Sequence, residues 1–135
     1  IKEIADLEKE CFSEPWSENS LRDELTNETA RFYVLRDNEK LLGYIGSNNI
    51  CNEVYITNVA VNTDCRGKGY GKILVNHLIR QSEIENAFFI TLEVRKSNAK
   101  AISLYKKHGF YEEVVKPHYY DDGEDALYMI RKGEI

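Results

Sequence analysis

The stretch that most constrains this chain runs from Val54 to Ile79. It reads VYITNVAV (54 to 61), then CRGKGYGK (65 to 72), then ILVNHLI (73 to 79). The first segment is a strand-like apolar run, and Leu74 and Leu78 with Val75 and Ile79 give an apolar helical stripe at i, i+4 spacing. A strand joined to a helix through glycines opens a crossover connection, and FFITLEV (88 to 94) supplies the strand it reaches. Such a unit commits the chain to a mixed α/β fold.

The flanking segments complete that reading. Ile4, Leu7, Cys11 and Phe12 follow helical spacing, and after a break at Pro15, Ser17 can cap a second helix carrying Leu21 and Leu25. FYVLR (32 to 36) and LLGYIGSN (41 to 48), joined by DNEK, form an expected antiparallel hairpin. A helix is predicted from Asn98 to His108, with Gly109 placed to end it. A closing hairpin, 111 to 115 with 126 to 130, surrounds the acidic turn DDGED. No repeat or Pro/Gly-rich linker divides the 135 residues, so residues 1–135 are expected to form one domain.

Composition removes several function classes. The net charge of -5 argues against broad binding to a nucleic-acid backbone, which needs an extended basic surface. No apolar run approaches the roughly 18 residues that a membrane helix requires. Cys11, Cys51 and Cys65 are widely spaced without a CxxC pair, and His77, His108 and His118 lack ligand spacing, so no metal site is expected. A reducing cytoplasm is the expected setting.

The glycine stretch has two readings. Gly67, Gly69 and Gly71 can simply make a tight turn and a close helix–strand contact. Alternatively they let main-chain N–H groups approach an anion at a helix start, with Arg66, Lys68 and Lys72 adding charge. A nucleotide P-loop is excluded, because it would need glycine at Arg66 and a hydroxyl residue at Ile73. The dinucleotide fingerprint fails too: Lys72 and Leu74 stand where its third glycine belongs.

R-x-x-G-x-G at Arg66, Gly69 and Gly71, after a strand and before an amphipathic helix, resembles the acetyl-coenzyme A pyrophosphate loop of the GNAT superfamily of N-acetyltransferases. LEVRKSNAKAISLYKKHGF (92 to 110) is similar to that superfamily's strand, asparagine, helix, tyrosine and terminal Gly-Phe. CFSEPWSENSL (11 to 21) and HYYDDGEDALYM (118 to 129) narrow the resemblance to the bacterial ribosomal-protein-alanine N-acetyltransferases. The implied fold is a mixed central sheet splayed at the cofactor site, with helices on both faces and one further strand expected before Ile1.

The resemblance also implies roles. Val59, Ala60 and Val61 would meet the pantetheine arm of acetyl-coenzyme A through their backbones. Main-chain groups of Arg66, Gly67, Lys68, Gly69, Tyr70, Gly71 and Lys72 would hold the pyrophosphate, and Asn98 would contact the cofactor arm. Asn98 could equally cap the helix that follows it. Alternation in FFITLEV puts Glu93 on a face with Phe89 and Thr91, and the resemblance makes it the general base; by residues alone it could be a solvated strand end. Tyr105 shares a helical face with Ala101, Leu104 and His108, which fits a core residue, whereas the resemblance makes it the proton donor to the departing thiolate. None of the cysteines matches a nucleophile position, which favours direct amine attack.

The implied activity is transfer of an acetyl group to the α-amino group of a protein N-terminus, the amino-terminal alanine of a small-subunit ribosomal protein. Trp16, Glu14, Tyr119, Tyr120 and the acids of the closing turn would wall the acceptor, although those acids could also belong to a solvated turn. Two alternatives stay open: acetylation of other N-termini, lysines or a small amine, and a non-catalytic acyl-coenzyme A-binding module.

Overall fold

The computed structural model describes residues 1–12 and 15–133. In chain order these form α1 (Lys2–Cys11), α2 (Glu18–Leu25), β1 (Ala30–Asp37), β2 (Lys40–Ile50), β3 (Glu53–Val61), a 3-10 turn (Thr63–Cys65), α3 (Tyr70–Ile84), β4 (Phe89–Arg95), α4 (Ala99–Lys107), β5 (Tyr111–Lys116) and β6 (Ala126–Lys132). The Ser17 hydroxyl accepts from the Ser20 amide at 3.1 Å, so α2 starts where the sequence places its cap. Gly109, at φ +86°, ends α4 in the left-handed region that favours glycine.

The strands build one sheet in the order β1-β2-β3-β4-β6-β5. All neighbours are antiparallel except β3 and β4, which α3 connects as a crossover. On one face α3 and α4 cover Val54, Ile56, Ile90, Leu92 and Val94 with Leu74, Val75, Leu78 and Tyr105. On the other, α1 and α2 bring Ile4, Leu7 and Leu21 onto Leu41, Tyr44 and Ala60.

Strands β3 and β4 pair only over Glu53–Tyr55 with Phe89–Thr91, yet β3 continues to Val61 and β4 to Arg95. A β-bulge accounts for the divergence. Gly46 pairs with Asn58 but Ser47 pairs with Ile56, leaving Thr57 as an extra residue in β3. The bulge also reassigns faces: Val54 and Ile56, then Val59 and Val61, meet the α3 side, while Ala60 joins the α1 side. Beyond Tyr55 the sheet therefore opens between its two central strands.

One carboxyl is fully buried under this sheet. Glu8 of α1 is 0% exposed, and its Oε1 accepts from the Trp16 amide at 3.1 Å and from Asn58 Nδ2 at 3.2 Å. Burial raises its pKa above the ordinary carboxylate value, with those hydrogen bonds opposing. A raised carboxyl costs stability where it ionises; that cost is absent below the unfolded pKa and grows as pH rises through the folded one. Glu8→Gln keeps an acceptor for both donors without a charge. Its melting temperature should exceed the wild type's at pH 8 and converge with it near pH 4, and a lower value at pH 8 would count against this account.

Candidate active site

The glycine stretch forms an open backbone cradle. Gly67 and Gly69 both have φ +82°, and a Cβ on either would meet nothing within 4 Å, so they serve backbone conformation rather than close packing. Gly71 is the glycine that packs: a Cβ there would lie 3.6 Å from Leu104 of α4. Gly69 is the N-cap of α3 and makes no side-chain cap, which leaves the amides of Tyr70, Gly71 and Lys72 without intrahelical acceptors. The first helical bond is from the Ile73 amide to the Gly69 carbonyl at 3.2 Å.

Beside this helix start, Lys72 borders a cavity of about 580 Å³ between α3 and α4, lined also by Lys100, Ser103, Leu104, Lys107 and His108. Unfilled amides, a helix dipole and three lysines suit a phosphorylated ligand. Arg66 and Lys68 stand exposed at the entrance to the loop.

From the cradle, β3 leads along the sheet opening. Its backbone from Ile56 to Val61 is paired with β2 on one side and has no ladder with β4 on the other. Val59 and Val61 turn side chains toward the larger core and Ala60 toward the smaller one, so what β3 offers the opening at these residues is main chain. An extended ligand can bond there as a strand does.

Glu93 stands on the β4 face opposite Ile90, Leu92 and Val94, as the alternation predicts. Its side chain is only 8% exposed. Oε1 accepts from Lys116 Nζ at 2.6 Å, and Oε2 accepts from the Tyr55 hydroxyl. The contact raises Lys116 above the ordinary lysine value, and burial with the Glu93 hydrogen bond raises Tyr55 well above the ordinary phenol. Tyr128 is the direct cross-strand partner of Glu93 on β6.

A tyrosine cluster encloses this carboxylate. Lys116 Nζ lies 4.8 Å from the ring centre of Tyr128 and 5.4 Å from that of Tyr119. Tyr119 and Tyr120 meet edge to face at 5.1 Å, and the Arg95 guanidinium covers Tyr120 at 4.1 Å. Arg95 Nη1 in turn donates to Asp122 at 2.8 Å and Glu124 at 3.0 Å. The expected acidic edge is thus partly spent on holding its own loop: Asp122 and Glu124 bind Arg95, and Asp125 accepts from the His118 amide at 3.0 Å.

Tyr105 approaches from α4, on the other side of the sheet. It is 7% exposed, packs its ring on Phe110 with centroids 5.6 Å apart, and is pushed up to about 12 by burial, with a further contribution from Tyr120. Tyr120 is itself raised to about 12 by burial, with the Arg95 charge opposing. Glu93 thus lies on the face of β4 opposite the one that Tyr105 packs against, beside the point where the central strands separate. The arrangement can remove a proton from an amine and return one to a leaving group.

The capping role is observed for Asn98: its Oδ1 accepts from the Ala101 amide at 3.1 Å, while the residue itself is exposed. Trp16 packs partly against the α1–α2 core, and Glu14 lies outside the described residues. Four residues of the site escaped the sequence reading: Tyr55, Arg95, Lys116 and Tyr128. The alternation that placed Glu93 could have pointed to Arg95, two residues on along the same face. The other three depend on non-local strand order: Tyr55 on β3 lying beside β4, and Lys116 and Tyr128 on β6 lying between β4 and β5. Among the described residues no cluster of His, Cys, Asp or Glu could hold a metal ion, and no helix is long and apolar enough to cross a membrane.

Comparison with known proteins agrees with this geometry. The family model for the acetyltransferase (GNAT) family matches residues 1–110. The [ribosomal protein bS18]-alanine N-acetyltransferase of Escherichia coli K12 is 34% identical over 128 residues, covering 91% of this chain and 84% of the relative. A crystal structure of the ribosomal-protein-S18-alanine N-acetyltransferase from Escherichia coli superposes with TM-score 0.93 at 31% identity, covering 99% of this chain and 88% of that one. The NatC complex bound to Gag peptide and coenzyme A contains a chain that matches with TM-score 0.86 at 28% identity, covering 98% and 90%. The backbone cradle fits the phosphates of that coenzyme, and the donor is acetyl-coenzyme A. The splayed sheet, the glycine cradle and the family match together establish that this chain belongs to the GNAT family of acetyltransferases.

Proposed function

We propose that this protein acetylates the α-amino group of a protein N-terminus in the cytoplasm, with the amino-terminal alanine of a small-subunit ribosomal protein as its acceptor. The observation that carries this reading is the nearly buried Glu93 carboxylate, set in a cluster of tyrosines at the mouth of the sheet opening. Relatives named as alanine N-acetyltransferases at 34% identity support the acceptor class.

The chemistry favours an N-terminus over a lysine. Freeing a neutral amine at pH 7 costs about 1 kcal/mol for an α-amino group near pKa 7.8 and about 4.6 kcal/mol for a lysine near 10.4. One carboxylate meets the first demand more readily. Glu93 accepts the acceptor's proton, directly or through one water, and the amine attacks the acetyl carbonyl. Main-chain N–H near Val59 steadies the carbonyl oxygen as charge develops, and Tyr105 hands a proton to sulfur as the thiol leaves. The β3 backbone from Val59 to Val61, the loop from Arg66 to Lys72 and the exposed amide of Asn98 hold the donor in this scheme.

The test is acetyl transfer from acetyl-coenzyme A to a peptide panel. It compares an alanine-initiated ribosomal sequence with other N-termini, N-terminally blocked peptides with internal lysine, and polyamines. The alanine peptide should show the highest kcat/KM. Preference for blocked lysine peptides or polyamines would overturn the acceptor assignment, and coenzyme binding without transfer to any amine would overturn the catalytic one.

A further inference from the structure

Lys116 is a cation of the tyrosine cluster, in contact with Glu93, that the chemistry above does not use. Its ammonium lies 2.6 Å from Glu93 Oε1, with the faces of Tyr128 and Tyr119 at 4.8 and 5.4 Å. Those are the surroundings an α-ammonium needs on its way to the same carboxylate: a charged acceptor for its proton and aromatic faces for its charge. Glu93 has little to spare for a second cation, because its other oxygen is taken by Tyr55 and its side chain is 8% exposed. We infer that Lys116 Nζ and the acceptor's α-ammonium compete for one place on Glu93, which makes Lys116 the residue that sets the threshold for acceptor entry. This rests on the proposed use of Glu93 as base.

The neighbouring cation shows what a fixed charge looks like here. Arg95 donates to both Asp122 and Glu124 and lies flat over Tyr120, so three groups hold it. Lys116 has a single carboxylate partner, belongs to the edge strand β5, and keeps 39% of its side chain exposed. Its backbone is pinned opposite Ala126, while the four-carbon stem is free to swing the ammonium into water. Displacing Lys116 thus costs one ion pair, whereas displacing Arg95 would undo the loop.

The competition also has a chemical consequence. The Glu93 contact favours the protonated form of Lys116, so Lys116 occupies the acceptor's place without being a nucleophile. An acceptor pays for the fraction of molecules in which Lys116 sits on Glu93; if that fraction is nine-tenths, apparent affinity is reduced about tenfold.

Lys116→Met and Lys116→Gln remove the competing charge at a half-exposed edge position, and Lys116→Arg keeps it. With the alanine-initiated peptide, both neutral variants should lower KM about tenfold, and the arginine variant should resemble wild type. Calorimetry of the same peptide on protein saturated with coenzyme A, where no transfer occurs, should show the same gain in affinity. Damage to the site would raise KM rather than lower it. Equal or weaker peptide affinity in both neutral variants overturns the competition whether or not transfer is seen. Absence of transfer by wild type, with the affinity gain present, overturns the proposed function alone.

Discussion

Glu93→Gln should lower kcat on an alanine-initiated peptide by roughly 10²- to 10⁴-fold at neutral pH, the range for loss of a positioned general base. The substitution keeps an oxygen to accept from the Tyr55 hydroxyl and leaves the cradle from Arg66 to Lys72 untouched, so affinity for acetyl-coenzyme A should not change. The deficit should shrink as pH rises. An α-amino group near pKa 7.8 is mostly neutral by about pH 9, and the amine then arrives without the proton that Glu93 removes. Stopped assays between pH 6 and 9, with donor binding followed by calorimetry, separate the two effects. A deficit independent of pH, or wild-type turnover, would remove Glu93 from the role of base.

That assignment shows how far the chain could be read before its structure. The strand, glycine stretch and helix from Val54 to Ile79 are local signals, and each turns up where its residues place it. Glu93 was legible because a strand's two faces alternate, and Ile90, Leu92 and Val94 declare the buried one. Its partners were not. Tyr55 alternates with the buried Val54 and Ile56, but alternation gives no sign of which strand lies beside it, and the extra residue at Thr57 reverses the phase beyond it. Lys116 reaches Glu93 only because β6 inserts between β4 and β5, a non-local order that hairpin signals leave open.

Charge in the closing turn shows a different limit. DDGED reads as an acidic surface for a cationic peptide, yet Arg95 draws Asp122 and Glu124 onto itself. Their carboxyls are held below the usual range, Asp122 first by the Glu124 amide and Glu124 first by Ser97. The turn's visible acidity thus positions Tyr119 and Tyr120 over the site as much as it colours the surface. Composition counts charges, whereas the fold decides which remain available.

Tyr105→Phe isolates the second half of the chemistry. Burial pushes the phenol up to about 12, so it carries its proton across the whole neutral and mildly alkaline range and is suited to give rather than take one. Phenylalanine retains the edge-to-face packing on Phe110 and the volume beneath α4, so the melting temperature should be unchanged or slightly higher. Turnover should fall on the order of 10²-fold, the low end for a general acid. A thiol near pKa 8.5 departs as its anion more easily than an alcohol would, which limits the loss. Donor KM should hold, and the deficit should persist at pH 9, where that of Glu93→Gln has narrowed. The two variants then separate by pH alone, because one group acts on the incoming amine and the other on the outgoing sulfur. Full activity in Tyr105→Phe, or a deficit that vanishes at high pH alongside that of Glu93→Gln, would assign sulfur protonation to water or to another residue.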